Sequence, residues 1–176
     1  MLRALLLVLV FALAGCSRLD LADFADAKPP LALEQYFAGK LKAYGQFESF
    51  GEVKRRFVVD IDGTWDGTTL TLHEDFVYDD GETETRIWTI TRSADGGWEG
   101  RADGVVGLAS GRGAGNAFNW RYDFDLATDD GPMRLHFDDW LFLQEDGVLL
   151  NRARVTKFGI TVGEVFLSFF RQPDAG

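Results

Sequence analysis

The chain has 176 residues, 18 basic against 28 acidic side chains for a net charge of −10, and a single cysteine. That balance repels phosphate backbones, which excludes nucleic acid as a partner, and one cysteine excludes a disulfide within the chain. The length suits one domain with a proper core rather than two.

The first element is an export signal. Arg3 precedes an apolar run from Ala4 to Ala14, and the small residues Ala14 and Gly15 lead to the only cysteine, Cys16. Charge, short apolar core and small-residue cleavage site in that order mark residues 1–15 as a signal peptide. The run is too short to cross a hydrocarbon core of roughly 30 Å, which takes about 20 apolar residues. The ending Leu13-Ala14-Gly15-Cys16 resembles a bacterial lipobox. That resemblance implies lipidation of Cys16 as the first residue of the mature protein, and Ser17 in place of an aspartate implies the periplasmic face of the outer membrane. Cleavage leaves 161 residues and, with Arg3 gone, a charge of −11. Such a surface repels anionic head groups, so the membrane is reached through acyl chains, two or more of which anchor stably. Residues 16–30, mixed in character and carrying Pro29-Pro30, read as a lipidated tether.

Residues 31–172 read as one β-domain. A short helix suits 31–37, with Pro30 near its start and Gly39 past its end. Alternating segments follow near 41–49, 53–61, 69–78, 83–92, 98–108, 116–127, 133–143, 148–157 and 162–171. Their glycine-punctuated spacing is that of an all-β barrel or sandwich. Ser110-Gly111-Arg112-Gly113-Ala114-Gly115 is the one glycine-rich stretch. It opens no helix, so it reads as a flexible connection rather than a phosphate cradle.

Three turns predict strand registers, because a three-residue loop ending in a left-handed glycine has a defined pairing. Asp79-Asp80-Gly81 sets Phe76 opposite Glu84, Glu74 opposite Arg86, Leu72 opposite Trp88 and Leu70 opposite Ile90. Glu74 and Arg86 thereby point inward on an apolar face. Ser49-Phe50-Gly51 sets Gly45 opposite Arg55, a second inward charge with room made for it. Glu145-Asp146-Gly147 sets Leu141 opposite Asn151 and Asp139 opposite Ala153, leaving Asp139 and Asn151 as polar members of another apolar face. Trp140 and Arg152 share the outer side, within reach of a cation–π contact. Phe118, Trp120, Tyr122, Phe124 and Leu126 alternate on one face, either packing a solid core or lining a cavity.

A family resemblance enters on these residues. Phe37-x-Gly39, Gly63-x-Trp65-x-Gly67, Leu72-x-Glu74-x-Phe76-x-Tyr78-x-Asp80-Gly81-Glu82 and Arg86-x-Trp88 resemble the bacterial lipoprotein family catalogued as domain of unknown function 3833. Gly115-Asn116, Trp120-x-Tyr122, Phe137-Asp138-Asp139-Trp140, Asn151-Arg152, Lys157-x-Gly159 and Gly163-Glu164 continue the likeness, over roughly residues 35–171. Leu141 departs from it, standing where methionine is expected. The resemblance implies an antiparallel lipocalin-like barrel, here of about eight to nine strands with one short N-terminal helix. It also implies a connection with lipids, through neighbouring genes for cyclopropane-type fatty-acid modification. It implies no catalytic residue.

The expected inward polar set is Arg55, Glu74, Arg86, Asp139 and Asn151. As a ligand site, Arg55 and Arg86 meet an anionic head group, Glu74 orients Arg86, and Trp88, Phe118, Trp120, Tyr122 and Phe124 line a tail channel for a fatty acyl or phospholipid species. As a structural network, the same charges pair and hold strand register; removing one partner costs about 3–5 kcal/mol. Two alternatives stay open: an enzyme acting on a membrane-derived lipid with Glu74 or Asp139 as general base, or a packed barrel whose outer Trp140, Phe142 and Leu150 dock a partner. Catalysis is the less favoured use, since Asp138 and Asp139 face opposite sides of a strand and no serine has an evident base. No cofactor is expected, and two histidines with no spare cysteine make no metal site.

Overall fold

The computed structural model describes residues 19–128 and 130–173. The signal expected over 1–15, the expected lipidation position Cys16 and Ser17 lie outside the described residues.

A short helix, α1 (Leu33–Phe37), precedes ten strands: β1 (Gly39–Ser49), β2 (Glu52–Trp65), β3 (Thr69–Tyr78), β4 (Thr83–Arg92), β5 (Trp98–Arg101), β6 (Val105–Ala114), β7 (Ala117–Leu126), β8 (Met133–Leu143), β9 (Leu149–Lys157) and β10 (Ile160–Arg171). Each strand pairs with the next, and β10 pairs antiparallel with β1, so the sheet closes into an up-and-down barrel. Closure removes the unpaired edges that an open sheet of this size leaves.

The all-β barrel is as expected, with ten strands rather than eight or nine. Two features account for the difference. The segment 98–108 divides at a turn after Arg101, and the glycine-rich stretch is part of β6 rather than a loop. Its glycines serve close packing: a Cβ on Gly111 would stand 2.6 Å from Cζ of Phe118 and would also strike the Trp120 ring. Large rings on β7 lie flat across β6 only where β6 has no side chain.

Two of the three predicted registers are observed: Glu74 faces Arg86 and Leu72 faces Trp88 on β3–β4, and Leu141 faces Asn151 on β8–β9. The β1–β2 hairpin differs. Its turn is the two-residue Phe50-Gly51, Ser49 pairs with Glu52, and a bulge beyond Val53 puts Phe57, not Arg55, opposite Gly45. The missing side chain at Gly45 makes room for the Phe57 ring, since a Cβ there would lie 2.6 Å from Phe57 Cε2. Burial of the ring outweighs the simple loop rule.

The two ends of the barrel are unlike. At one end α1 forms a plug, with Leu33, Tyr36 and Phe37 buried against Leu41, Ile61, Leu70, Leu72 and Phe169. The Tyr36 hydroxyl donates to the carbonyls of Gly147 (3.1 Å) and Phe169 (3.2 Å), and burial pushes it up to about 12. Arg171 donates to the carbonyls of Gln35, Tyr36 and Ala38 at 2.7, 2.8 and 3.0 Å, satisfying acceptors that a short helix leaves over. Toward the other end the inward Phe57, Tyr78, Phe124, Phe137 and Leu167 are only partly buried. Fixed packing fills the plugged half, while the open half keeps accessible inner surface.

Residues 19–30, expected as part of a tether, lie against the wall. A 3-10 helix over Leu21–Phe24 sets the Phe24 ring 5.9 Å from Trp140 and 5.3 Å from Phe142, and Leu31 donates its N–H to the Gly115 carbonyl at 2.8 Å. The outer stack of Trp140 on Phe142, at 6.0 Å and 11°, supplies the apolar surface that draws this segment in. The expected outer docking patch is thereby covered in part by the chain itself: Trp140 is buried, although Leu150 stays exposed. Trp140 and Arg152 do pair across β8–β9, but Arg152 binds Glu164 at 2.5 Å.

Candidate functional site

The site grows from alternation on β3 and β4. Phe76, Glu74 and Leu72 face inward on β3, and Glu84, Arg86 and Trp88 face inward opposite them on β4. Arg86 therefore projects its guanidinium into the barrel. Nη2 donates to Oε1 of Glu84 at 2.5 Å, and the guanidinium carbon stands 5.2 Å from the Phe76 ring centre and 4.9 Å from that of Phe124. Its Nε is buried without a partner. The Tyr78 hydroxyl donates to the other oxygen of Glu84 at 2.8 Å.

From β7 and β8, Tyr122 and Asp139 complete the group. Tyr122 stacks on Phe137 with centroids 5.0 Å apart and planes 2° from parallel, and its hydroxyl hydrogen-bonds Asp139. Asp139 Oδ1 is buried with no partner. Trp88 forms the floor, edge-on to Trp120 at 5.8 Å and to Tyr122 at 5.4 Å.

Enclosure without full pairing sets the electrostatics. Burial pushes the Glu74 carboxyl up from its ordinary 4.5 to about 7, with Arg86 pulling back and Glu84 adding to the rise. Burial likewise pushes Asp139 up to about 7; the neighbouring Asp138 charge adds to the rise, while Tyr122 and Arg86 oppose it. Tyr122 is raised well above its usual value, first by burial and then by Asp139. Glu74 and Asp139 are surrounded by protein yet retain some accessible surface. They lie where the packed half of the barrel meets the open half. One guanidinium thus serves three inward carboxyls, two of them poised to exchange a proton at neutral pH.

A family model described as a protein of unknown function, DUF3833, matches residues 10–171. The chain belongs to that family. The resemblance read from the hairpin and Phe-Asp-Asp-Trp motifs is thus met, and membership in DUF3833 transfers no reaction. No curated protein matches the chain.

In this DUF3833 barrel the predicted residues separate into groups. Glu74, Arg86, Tyr122, Phe124 and Asp139 come together over Trp88. Arg55 does not join them directly. It stands at the rim with its guanidinium 3.6 Å above the Tyr78 ring, paired with Asp80 at 2.8 Å and with Glu82. Tyr78 links it to the interior through Glu84. Asn151 donates to the Trp140 carbonyl at 3.3 Å and is consumed by the wall. Phe118 and Trp120 lie in the packed half, buried on the glycines of β5 and β6.

Glu84, Tyr78 and Phe137 belong to the group and were absent from the predicted set. The signal for Glu84 was present, because the register that turned Arg86 inward turns Glu84 inward too. Two clefts of about 540 and 560 Å³ lie elsewhere, one beneath Leu19–Leu21 and one across the β1, β2 and β10 wall. Neither reaches Glu74, Arg86 or Asp139, so the candidate site rests on chemistry rather than on cleft size.

Proposed function

We propose that this protein is a lipid-anchored periplasmic lipoprotein of the outer membrane that binds or carries a fatty acyl or phospholipid species. The observation that carries the ligand reading is Arg86: a guanidinium among phenylalanine rings inside the barrel, with Nε unsatisfied, as is Oδ1 of the inward Asp139. Buried polar atoms without partners are rare in finished cores and are expected where a ligand completes the bonding. An anionic head group accepts from Arg86 and from the protonated forms of Glu74 and Asp139. The tail then runs toward the open end along Phe57, Phe124, Phe137 and Leu167, since the plugged half has no room for it.

The anchor reading rests on the Leu-Ala-Gly-Cys ending.

Native mass spectrometry of the protein in detergent, with palmitate or phosphatidylglycerol added, tests the ligand reading. The expected result is a one-to-one adduct that weakens as pH rises through 7 and is lost in Arg86→Gln while the circular dichroism stays native. Absence of any adduct or co-purified lipid from the parent protein overturns it. Mass analysis of the N-terminal peptide tests acylation of Cys16 separately.

The near-neutral carboxyls favour one second reading, acid–base catalysis on a lipid by Glu74 or Asp139. Turnover abolished in Glu74→Gln with adduct formation retained would distinguish it from simple carriage.

A further inference from the structure

The turns at the open end carry a feature that neither the interior site nor barrel closure uses. Phe50 and Phe158 occupy the first position of two equivalent hairpin turns, Phe50-Gly51 and Phe158-Gly159, with φ of 51° and 78° in one and 52° and 78° in the other. Ser49 pairs with Glu52 and Lys157 with Ile160, so each loop is two residues long with both φ positive. That turn type favours Asn, Asp or Gly at its first position and disfavours a bulky ring. Both rings are bare, Phe50 being 90% and Phe158 92% exposed, and Ile160 beside them is 71% exposed. Strand β1, which leads into the first turn, is hydrogen-bonded to β10, which leaves the second, so the tips are neighbours on one rim. Two large rings are thus held in a conformation that resists them and projected into solvent.

We propose that Phe50 and Phe158 insert into the interfacial layer of a phospholipid bilayer and dock the open end of the barrel on the membrane. The shape of the patch selects a bilayer as the occupant: the rings are separate convex tips, which a fluid interface admits without a matching pocket. Ion pairs mute the acidic residues nearest the tips, since Lys54 binds Glu52 beside Phe50 and Arg152 binds Glu164 on β10, while the Lys157 ammonium stands 5.7 Å from the Phe158 ring. This docking stands on the rim alone and requires neither acylation of Cys16 nor a bound lipid.

Fluorescence on vesicles of phosphatidylethanolamine with phosphatidylglycerol, brominated on the acyl chains, tests it in the full chain. Phe50→Trp and Phe158→Trp should each add emission that these vesicles quench, whereas Ile87→Trp, on the exposed outer wall, should add emission that they do not. Quenching at positions 50 and 158 no greater than at 87 overturns the proposal. A second measurement uses Phe50→Asn with Phe158→Asn in a Cys16→Ser background, so that acyl chains do not set the vesicle affinity. Asparagine suits a positive φ, so Tm should hold or rise, while vesicle association falls roughly tenfold per ring, the effect of withdrawing about half a phenylalanine side chain from an apolar phase. A drop in Tm would make the rings structural and overturn the proposal. So would a dimer of the parent that the double variant abolishes, with no quenching, because the occupant would then be a second copy.

Discussion

Glu74 and Asp139 show how a single carboxyl records its surroundings. In an unfolded chain they titrate near 4.5 and 3.8; inside the barrel both are pushed to about 7. Between those values the native state holds protons that the unfolded state has released, so stability falls as pH rises from about 4 to 7 and levels off above. Asp80 and Asp125 are lowered by Arg55 and Arg134 and act in the opposite sense, but at pH values below that window. Thermal melts across the window should show Tm decreasing with pH, and Glu74→Gln together with Asp139→Asn should flatten the slope. A parent Tm that is level through neutrality contradicts the enclosed environment assigned to both groups. The contrast with Arg55 is instructive. Its side chain has inward parity, yet a one-residue bulge moves it to the rim, where Asp80 and Glu82 neutralise it.

The hairpins differ in how far local rules govern them. Asp79-Asp80-Gly81 and Glu145-Asp146-Gly147 have residues that suit their turn conformation, so counting back from the glycine puts Glu74 opposite Arg86 and Leu141 opposite Asn151. Ser49-Phe50-Gly51 misleads because Phe50 adopts a left-handed conformation that its side chain opposes. No local preference announces that choice. The glycines of β6 are similarly deceptive, resembling flexibility in sequence and providing ring clearance in space, and Gly45 on β1 makes room for the Phe57 ring rather than for Arg55. Gly45→Ala and Gly111→Ala should each cost about 1–3 kcal/mol in urea unfolding, the usual range for overpacking a filled site. A change below the error of the melt would mean that Phe57 or Trp120 swings aside freely. At the plugged end, Tyr36→Phe removes the donor to the Gly147 and Phe169 carbonyls and should cost about 1 kcal/mol. On the outer wall, Phe24→Ala should cost about 1–2 kcal/mol and speed amide exchange over residues 21–31. Unchanged exchange there would show that the Phe24 ring does not hold the segment down.

The closed barrel joins these elements into one body with a filled end and a receptive end. β7 illustrates the gradient: Phe118 and Trp120 are locked against glycines, Tyr122 lies at the boundary, and Phe124 faces the open half. Alternation alone assigned all four to one face and left solid core and cavity wall equally admissible. The gradient follows from α1, whose Tyr36 and Phe37 stop one end, and from the absence of an equivalent plug among the described residues at the other. Membrane anchoring, an interior head-group site and a hydrophobic rim are three separate proposals about that body, and each has its own measurement.

The sequence by itself determined what depends on neighbours along the chain. The period-two alternation, two of the three hairpin registers and the inward turn of Glu74, Arg86 and Asp139 were all legible, because strand parity is a local property carried forward from each turn. Tertiary structure decided what depends on residues far apart. It assigned Glu84 rather than Glu74 as the hydrogen-bonding partner of Arg86, laid residues 19–30 against Trp140 and Phe142, and made the Ser110–Ala114 stretch a strand. It also separated a packed half from an open one. Each of these turns on which surfaces meet across the barrel, and the free energy of burying a ring or a charge has no value until the opposite wall is in place.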